Sequence, residues 1–189
     1  ELFYATYPAT LTAGGATFIS IPTNAEMGFQ PDPKLISKAI NSKTRAILLN
    51  SPNNPTGTVY SPETLKEILE LCRAQEIWVI SDEVYSEIAT EGFTPIASLP
   101  GNHEQTVTIS SLSKSHRMTG WRCGWMIGNK KLTRHLTNLN LCMNYGLPPF
   151  IQDASCKALE KDHITAKKVK KRLGGALQQG LIKIGGSGG

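Results

Sequence analysis

Residues 45–81 read RAILLNSPNNPTGTVYSPETLKEILELCRAQEIWVIS, and this segment predicts a strand, a turn, a helix and a second strand. The two strands, at 45–50 and 77–81, are apolar on both faces, as central strands of a parallel sheet are. Between them, segment 62–74 has apolar residues at helical spacing: Leu65, Ile68, Leu69 and Cys72. A strand–helix–strand unit of this kind favours a mostly parallel sheet with helices on its faces.

The rest of the chain continues this alternation. Further strands are predicted at 16–21, 106–110 and 124–128, and further helices at 31–40, 132–143, 151–159 and 166–173. We therefore predict an α/β fold, a three-layer α-β-α sandwich with a mostly parallel sheet. Residues 1–160 are assigned to one domain core. Residues 161–189 are assigned to a basic helical segment and a glycine-rich tail, expected to be poorly ordered or truncated.

Composition excludes several classes of protein. The 189 residues are 40% hydrophobic and 19% charged, which argues against a disordered or coiled-coil chain. No apolar run approaches the roughly 20 residues of a membrane span. The chain begins with Glu1 and ends in GGSGG at 185–189, so we expect a piece of a longer protein.

Charge and cysteine content give weaker indications. Twenty basic and 15 acidic residues give a net charge of +5, and six of the basic residues with one acid lie in 161–172. We read this run as a solvated helix face and expect no nucleic-acid partner, because no aromatic residues interleave with it. Four scattered cysteines without a C-x-x-C pair favour reduced thiols in the cytoplasm, and no metal site is expected.

Polar clusters follow three of the predicted strands. They read NSPNNPTG at 50–57, SDEVY at 81–85, and SLSK at 111–114 with GWRCGW at 120–125. Ligands of open α/β sheets bind beyond the carboxyl ends of the strands, where these clusters lie.

Each cluster also has a purely structural interpretation. The first is equally an Asn/Pro-rich turn stabilised by its own side chains. In the second, Asp82 is either a buried-edge acid that needs a cation or a helix N-cap. In the third, Lys114 can form a Schiff base and Arg122 can bind a phosphate, but most single lysines are simply solvated.

The conjunction of clusters is more specific than any one of them. N-x-x-N-N-P-T-G, then D-E-V-Y, then S-L-S-K with an arginine eight residues later, resembles the class I/II aminotransferases. These are pyridoxal-phosphate enzymes of fold type I, and the resemblance runs from about residue 4 to residue 160. The stretches SLSKSHRMTGWRCGW and LNLCMNYGLPPFIQDA are most similar to the arginine–pyruvate transaminase branch.

The resemblance implies a role for each residue that contacts the cofactor ring. Lys114 matches the lysine that holds pyridoxal 5′-phosphate as a Schiff base and then moves a proton at the substrate carbon. Asp82 matches the carboxylate paired with the pyridine nitrogen. Tyr85 and Asn54 match the two donors to the 3′ oxygen of the ring.

Four further residues are matched to the phosphate and to the face of the ring. Ser111 and Arg122 correspond to part of the phosphate-binding set, and Ser113 assists them. Tyr7 is placed as an aromatic ring stacked on the cofactor. Ala5 departs from the family, which usually has proline two residues before that aromatic.

The function implied is transfer of an amino group from an amino acid to a 2-oxo acid, in a protein that forms a homodimer. Three alternatives stay open: a pyridoxal-phosphate β-lyase or decarboxylase, a cofactor-sensing regulatory domain, and an inactive fragment. The family's glycine-rich phosphate loop and its substrate-carboxylate arginine lie outside this segment. We therefore expect the isolated chain to bind the cofactor weakly.

Overall fold

The computed structural model describes residues 2–89, 92–102, 104–161, 167–168 and 170–172. Its sheet has four strands in the order β1-β2-β3-β4: β1 Ala46–Asn50, β2 Trp78–Asp82, β3 Thr106–Ser111 and β4 Gly124–Ile127. The first three strands are parallel, and β4 runs antiparallel to β3. This confirms the predicted α/β fold with a mostly parallel sheet.

Six α-helices with defined bounds accompany the sheet in the described residues: α1 Tyr7–Ala13, α2 Pro33–Ala39, α3 Pro62–Ala74, α4 Leu112–Ser115, α5 Lys130–Asn144 and α6 Pro149–Glu160. Residues 167–168 and 170–172 are also helical. Single 3₁₀ turns lie at Ser86–Ile88, Ile96–Ser98 and Thr119–Trp121. No helix among the described residues is long and apolar enough to cross a membrane.

Helix α3 forms where the sequence indicates, and it carries the main core. Ser61 Oγ accepts a hydrogen bond from the Thr64 N–H, and Pro62 occupies the first turn, where it sacrifices no hydrogen bond. The apolar face of α3 packs with α2 against one face of the sheet. The fully buried members of this core include Leu65, Ile68, Leu69, Cys72 and Val79.

A helix also begins on the opposite face of the sheet. Val79 pairs with Thr106, so the side chain of Val107 points away from the α3 layer. A Cβ added to Gly128 would lie 3.5 Å from Val107 Cγ2 and 3.8 Å from Leu132 Cδ2, which places the start of α5 beside Val107. Helices therefore lie on both faces, as the three-layer prediction requires.

Some predicted elements differ from the structure. The strand predicted at 16–21 is wrong: this segment is partly exposed and partly half-buried, and no described strand pairs with it, so β-rich composition alone did not produce a strand. Helix α1 was not predicted. Of the helix predicted at 166–173, residues 167–168 and 170–172 are helical, and the others lie outside the described residues. Most of the proposed 161–189 segment also lies outside them.

Candidate active site

The register of the sheet brings the three polar clusters to one edge. Asn50, at the end of β1, pairs with Asp82 at the end of β2, and Asp82 pairs with Ile109 of β3. Ser111 follows Ile109 by two residues and caps α4, which carries Lys114. Because β1 to β3 are parallel, their carboxyl ends meet at the same edge of the sheet.

The turn after β1 is fixed by its own side chains and still presents one amide to the site. Asn50 Oδ1 accepts from the Asn54 N–H at 2.8 Å, and Asn53 Oδ1 accepts from the Thr56 N–H at 3.2 Å. Asn54 Nδ2 then donates to Tyr85 Oη at 3.1 Å. The structural interpretation of this cluster and its functional one are therefore both compatible with the geometry.

Asp82 is held by two donors, one on each carboxylate oxygen. The Val84 N–H donates to Oδ1 at 3.2 Å, and the Tyr7 hydroxyl donates to Oδ2 at 2.6 Å. Among the described residues, no lysine or arginine forms an ion pair with Asp82. Burial, together with the hydrogen bond to Asp82 and the charge of that carboxylate, holds the pKa of the Tyr7 hydroxyl well above its usual range.

Tyr7 therefore makes a contact that differs from its predicted role. The predicted role is a ring stacked on the face of the cofactor, whereas the observed contact is a hydrogen bond from the Tyr7 hydroxyl to the carboxylate of Asp82. The aromatic ring next to it belongs to Tyr4, whose centroid lies 5.5 Å from that of Tyr7 in an edge-to-face arrangement.

Lys114 lies close to Tyr85 and is half-buried. Its Nζ is 5.7 Å from the centroid of the Tyr85 ring, and it forms no ion pair with another described residue. Tyr85 thus contacts Asn54 through its hydroxyl and Lys114 through its ring. A lysine amine without an ion pair among the described residues, beside a phenol that accepts a hydrogen bond from an amide, is suited to binding a carbonyl compound.

Three of the predicted residues line one open cleft of about 430 Å³, where β3, β4 and α5 meet: Ser111, Ser113 and Arg122. Ser111 Oγ accepts from the Ser113 N–H, and Arg122 Nη1 donates to the Thr119 carbonyl. The close pairing of β3 and β4 at this cleft requires glycine at position 124, since a Cβ there would lie 2.9 Å from the Ser110 carbonyl oxygen and 3.1 Å from Ser111 Cβ.

Two buried side chains near the site, those of Asn50 and Glu83, have positioning roles that the sequence did not predict. Asn50 donates to the Asp82 carbonyl at 3.2 Å and so joins the ends of β1 and β2. Glu83 accepts from Ser81 Oγ and from the Ile96 N–H, and burial raises its pKa. Polar residues at the end of an apolar strand were the available signal, but their partners are distant in sequence.

Comparison with known proteins places the chain in a family. The family described as aminotransferase class I and II matches residues 1–179, and the chain belongs to it. The fold and the site at the strand ends are consistent with that membership.

Individual members of this family are similar to the chain in sequence and in structure. The chain is 49% identical over 161 residues to arginine–pyruvate transaminase AruH of Pseudomonas aeruginosa, covering 85% of this chain and 41% of that protein. It is 30% identical to the aspartate/prephenate aminotransferase of Thermus thermophilus, covering 97% and 49% respectively. The crystal structure of the aspartate aminotransferase of Thermotoga maritima superposes with a TM-score of 0.87 at 31% identity, over 93% of this chain and 48% of that one. The chain thus spans somewhat less than half the length of these relatives.

Proposed function

We propose that this chain is the cofactor-binding core of a pyridoxal-phosphate-dependent aminotransferase, whose whole protein transfers an amino group from an amino acid to a 2-oxo acid. One observation carries the proposal: Tyr85 contacts both Asn54 and Lys114, at the sheet edge where Asp82 also ends its strand. Family membership supports the choice of cofactor.

The donor set fits an aldehyde-bearing pyridine phosphate. A carboxylate oxygen accepts two hydrogen bonds, so Asp82 keeps acceptor capacity beyond its bonds to Val84 and Tyr7. That capacity suits a protonated ring nitrogen. When bound, the cofactor would supply an aldehyde and a pyridine ring that draws electrons from the substrate α-carbon.

Lys114 would hold the aldehyde carbon and carry the proton at the substrate α-carbon. Both tasks use the lone pair of the amine nitrogen. The absence of an ion pair at Lys114 within the described residues supports this role. The Tyr85 hydroxyl and the Asn54 amide would donate to the ring oxygen beside the aldehyde.

The cleft beside α4 would take the phosphate group. Arg122 supplies a permanent positive charge there, and guanidinium binds phosphate through paired hydrogen bonds. Ser111 and Ser113 supply hydroxyls at the same cleft. Tyr4 and Tyr7 would border the ring, with Tyr7 acting on Asp82.

The name of one relative suggests the substrates. The name of the relative that is 49% identical suggests arginine as amino donor and pyruvate as acceptor. We propose, further, that the whole protein is a cytoplasmic homodimer.

Absorbance and product analysis test the function. The full gene product, mixed with pyridoxal phosphate, should develop a visible band that Lys114→Ala abolishes and that the exposed-surface control Lys130→Ala retains. Added arginine and pyruvate should then yield alanine. Release of ammonia instead of alanine would favour a lyase. Identical spectra for the wild type and Lys114→Ala would contradict the proposal.

A further inference from the structure

In the loop that joins Lys114 to Arg122, Thr119 makes hydrogen bonds towards both ends. Thr119 Oγ1 donates to the Ser113 carbonyl at 3.0 Å. The Thr119 carbonyl accepts from Arg122 Nη1 at 2.9 Å. Thr119 therefore links the backbone beside Lys114 to the guanidinium of Arg122.

Arg122 has few other restraints on its side chain. It is exposed, and it forms no ion pair with a carboxylate among the described residues. Its backbone lies in the left-handed region, with φ 53° and ψ 36°, which is uncommon for a residue other than glycine. An unrestrained arginine loses rotamer freedom when it binds an anion, and that loss weakens affinity.

We propose that Thr119 is a positioning residue that orders Arg122 for a phosphate group and ties that order to the turn carrying Lys114. The proposal rests on the proposed function, since it takes the phosphate to be that of the bound cofactor. Thr119 contacts the backbone and Arg122, and it acts on the phosphate only through Arg122.

Valine is the informative substitution because it keeps the branched shape of threonine and replaces only the hydroxyl, with a methyl group. Without the bond to the Ser113 carbonyl, residue 119 and the carbonyl that holds Arg122 gain freedom. Loss of one hydrogen bond of this kind should weaken pyridoxal phosphate binding about threefold to tenfold. Pyridoxal, which has no phosphate, should bind Thr119→Val as it binds the wild type.

The first experiment titrates pyridoxal phosphate and pyridoxal into the full gene product. It compares Thr119→Val, Thr119→Ser, Arg122→Gln and the double variant Thr119→Val/Arg122→Gln. The control is Thr137→Val, because Thr137 Oγ1 also donates to a backbone carbonyl, that of Thr133, at 2.9 Å in α5. We expect Thr119→Val to bind pyridoxal phosphate more weakly than the wild type and pyridoxal equally well. Thr119→Ser and Thr137→Val should bind both ligands as the wild type does. The double variant should bind pyridoxal phosphate no more weakly than Arg122→Gln does.

Other results of that titration would overturn the proposal. They are an equal loss of affinity for both ligands in Thr119→Val, no loss of affinity for either ligand, or a double variant whose loss of affinity is the product of the losses in Thr119→Val and Arg122→Gln.

The second experiment needs no cofactor, so it separates this inference from the proposed function. The ¹⁵N heteronuclear NOE of the Arg122 Nε–H group should be high in the wild type and in Thr137→Val, and lower in Thr119→Val. Equal values in wild type and Thr119→Val would overturn the role of Thr119, whether or not pyridoxal phosphate binds. If the wild type fails to bind pyridoxal phosphate through Lys114 while the NOE values still differ, the proposed function and the identity of the phosphate are contradicted, and the ordering of Arg122 by Thr119 stands.

Discussion

Replacing Tyr7 with phenylalanine removes one hydroxyl, whose only hydrogen bond to a described residue is made to Asp82 Oδ2 at 2.6 Å. Hydrogen bonds to charged groups contribute about 1.5–3 kcal/mol. If the bond holds Asp82 in place for the ring nitrogen, its loss should weaken pyridoxal phosphate binding about tenfold to a hundredfold. The ring of residue 7 remains, so any stacking contact is preserved.

Absorbance titration of the full gene product with pyridoxal phosphate measures this effect. Tyr4→Phe is the matched control, because Tyr4 packs on Tyr7 while its hydroxyl makes no hydrogen bond to a described residue. We expect Tyr4→Phe to bind as the wild type does. Unchanged or tighter binding by Tyr7→Phe would refute the reasoning, since it would mean that the hydroxyl competes for Asp82 rather than orienting it.

Three further predictions concern the core and the strands around the site. Gly124→Ala should destabilise the fold by about 1–3 kcal/mol in urea unfolding, because its Cβ would meet the Ser110 carbonyl; Gly120→Ala, which has open space, should change little, and equal effects would contradict this account. Cys142 and Cys156 are exposed and should react with a thiol reagent at pH 8. Burial raises the pKa of the Cys72 thiol to about 12, so Cys72 should stay unmodified until the protein unfolds. The raised pKa of Glu83 means that its folded form favours the proton, and the stability this contributes is lost as pH rises through that pKa. Glu83→Gln should therefore gain stability relative to the wild type as the pH rises above the ordinary pKa of a glutamate, measured by urea unfolding at a series of pH values; a difference in stability that does not change with pH would contradict this account.

Local pattern predicted the elements that carry the site. The helix predicted at 62–74 coincides with α3, because its cap and its apolar spacing are both encoded within the segment. The strand predicted at 77–81 is shifted by one residue from β2 Trp78–Asp82, so Asp82 belongs to the strand itself. Boundaries of this kind depend on ladder hydrogen bonds to neighbouring strands, which the local sequence does not contain.

Contacts across long sequence separations could not be predicted. The hydrogen bond between Tyr7 and Asp82 joins residues 75 positions apart. The local sequence does not indicate whether the ring face or the hydroxyl of Tyr7 makes the contact. The hydrogen bond that Glu83 accepts from the Ile96 N–H could not be predicted either, because Ile96 lies 13 residues further along the chain, beyond the 3₁₀ turn at Ser86–Ile88. The strand predicted at 16–21 is wrong because high β-propensity is not sufficient: a strand also needs a neighbouring strand to pair with.

Reductive trapping tests the assignment of the cofactor lysine most directly. The full gene product, incubated with pyridoxal phosphate and reduced with borohydride, should carry a single stable pyridoxyl group, and peptide mass mapping should find it on Lys114. An adduct spread over exposed lysines, or one that persists unchanged in Lys114→Ala, would contradict the assignment.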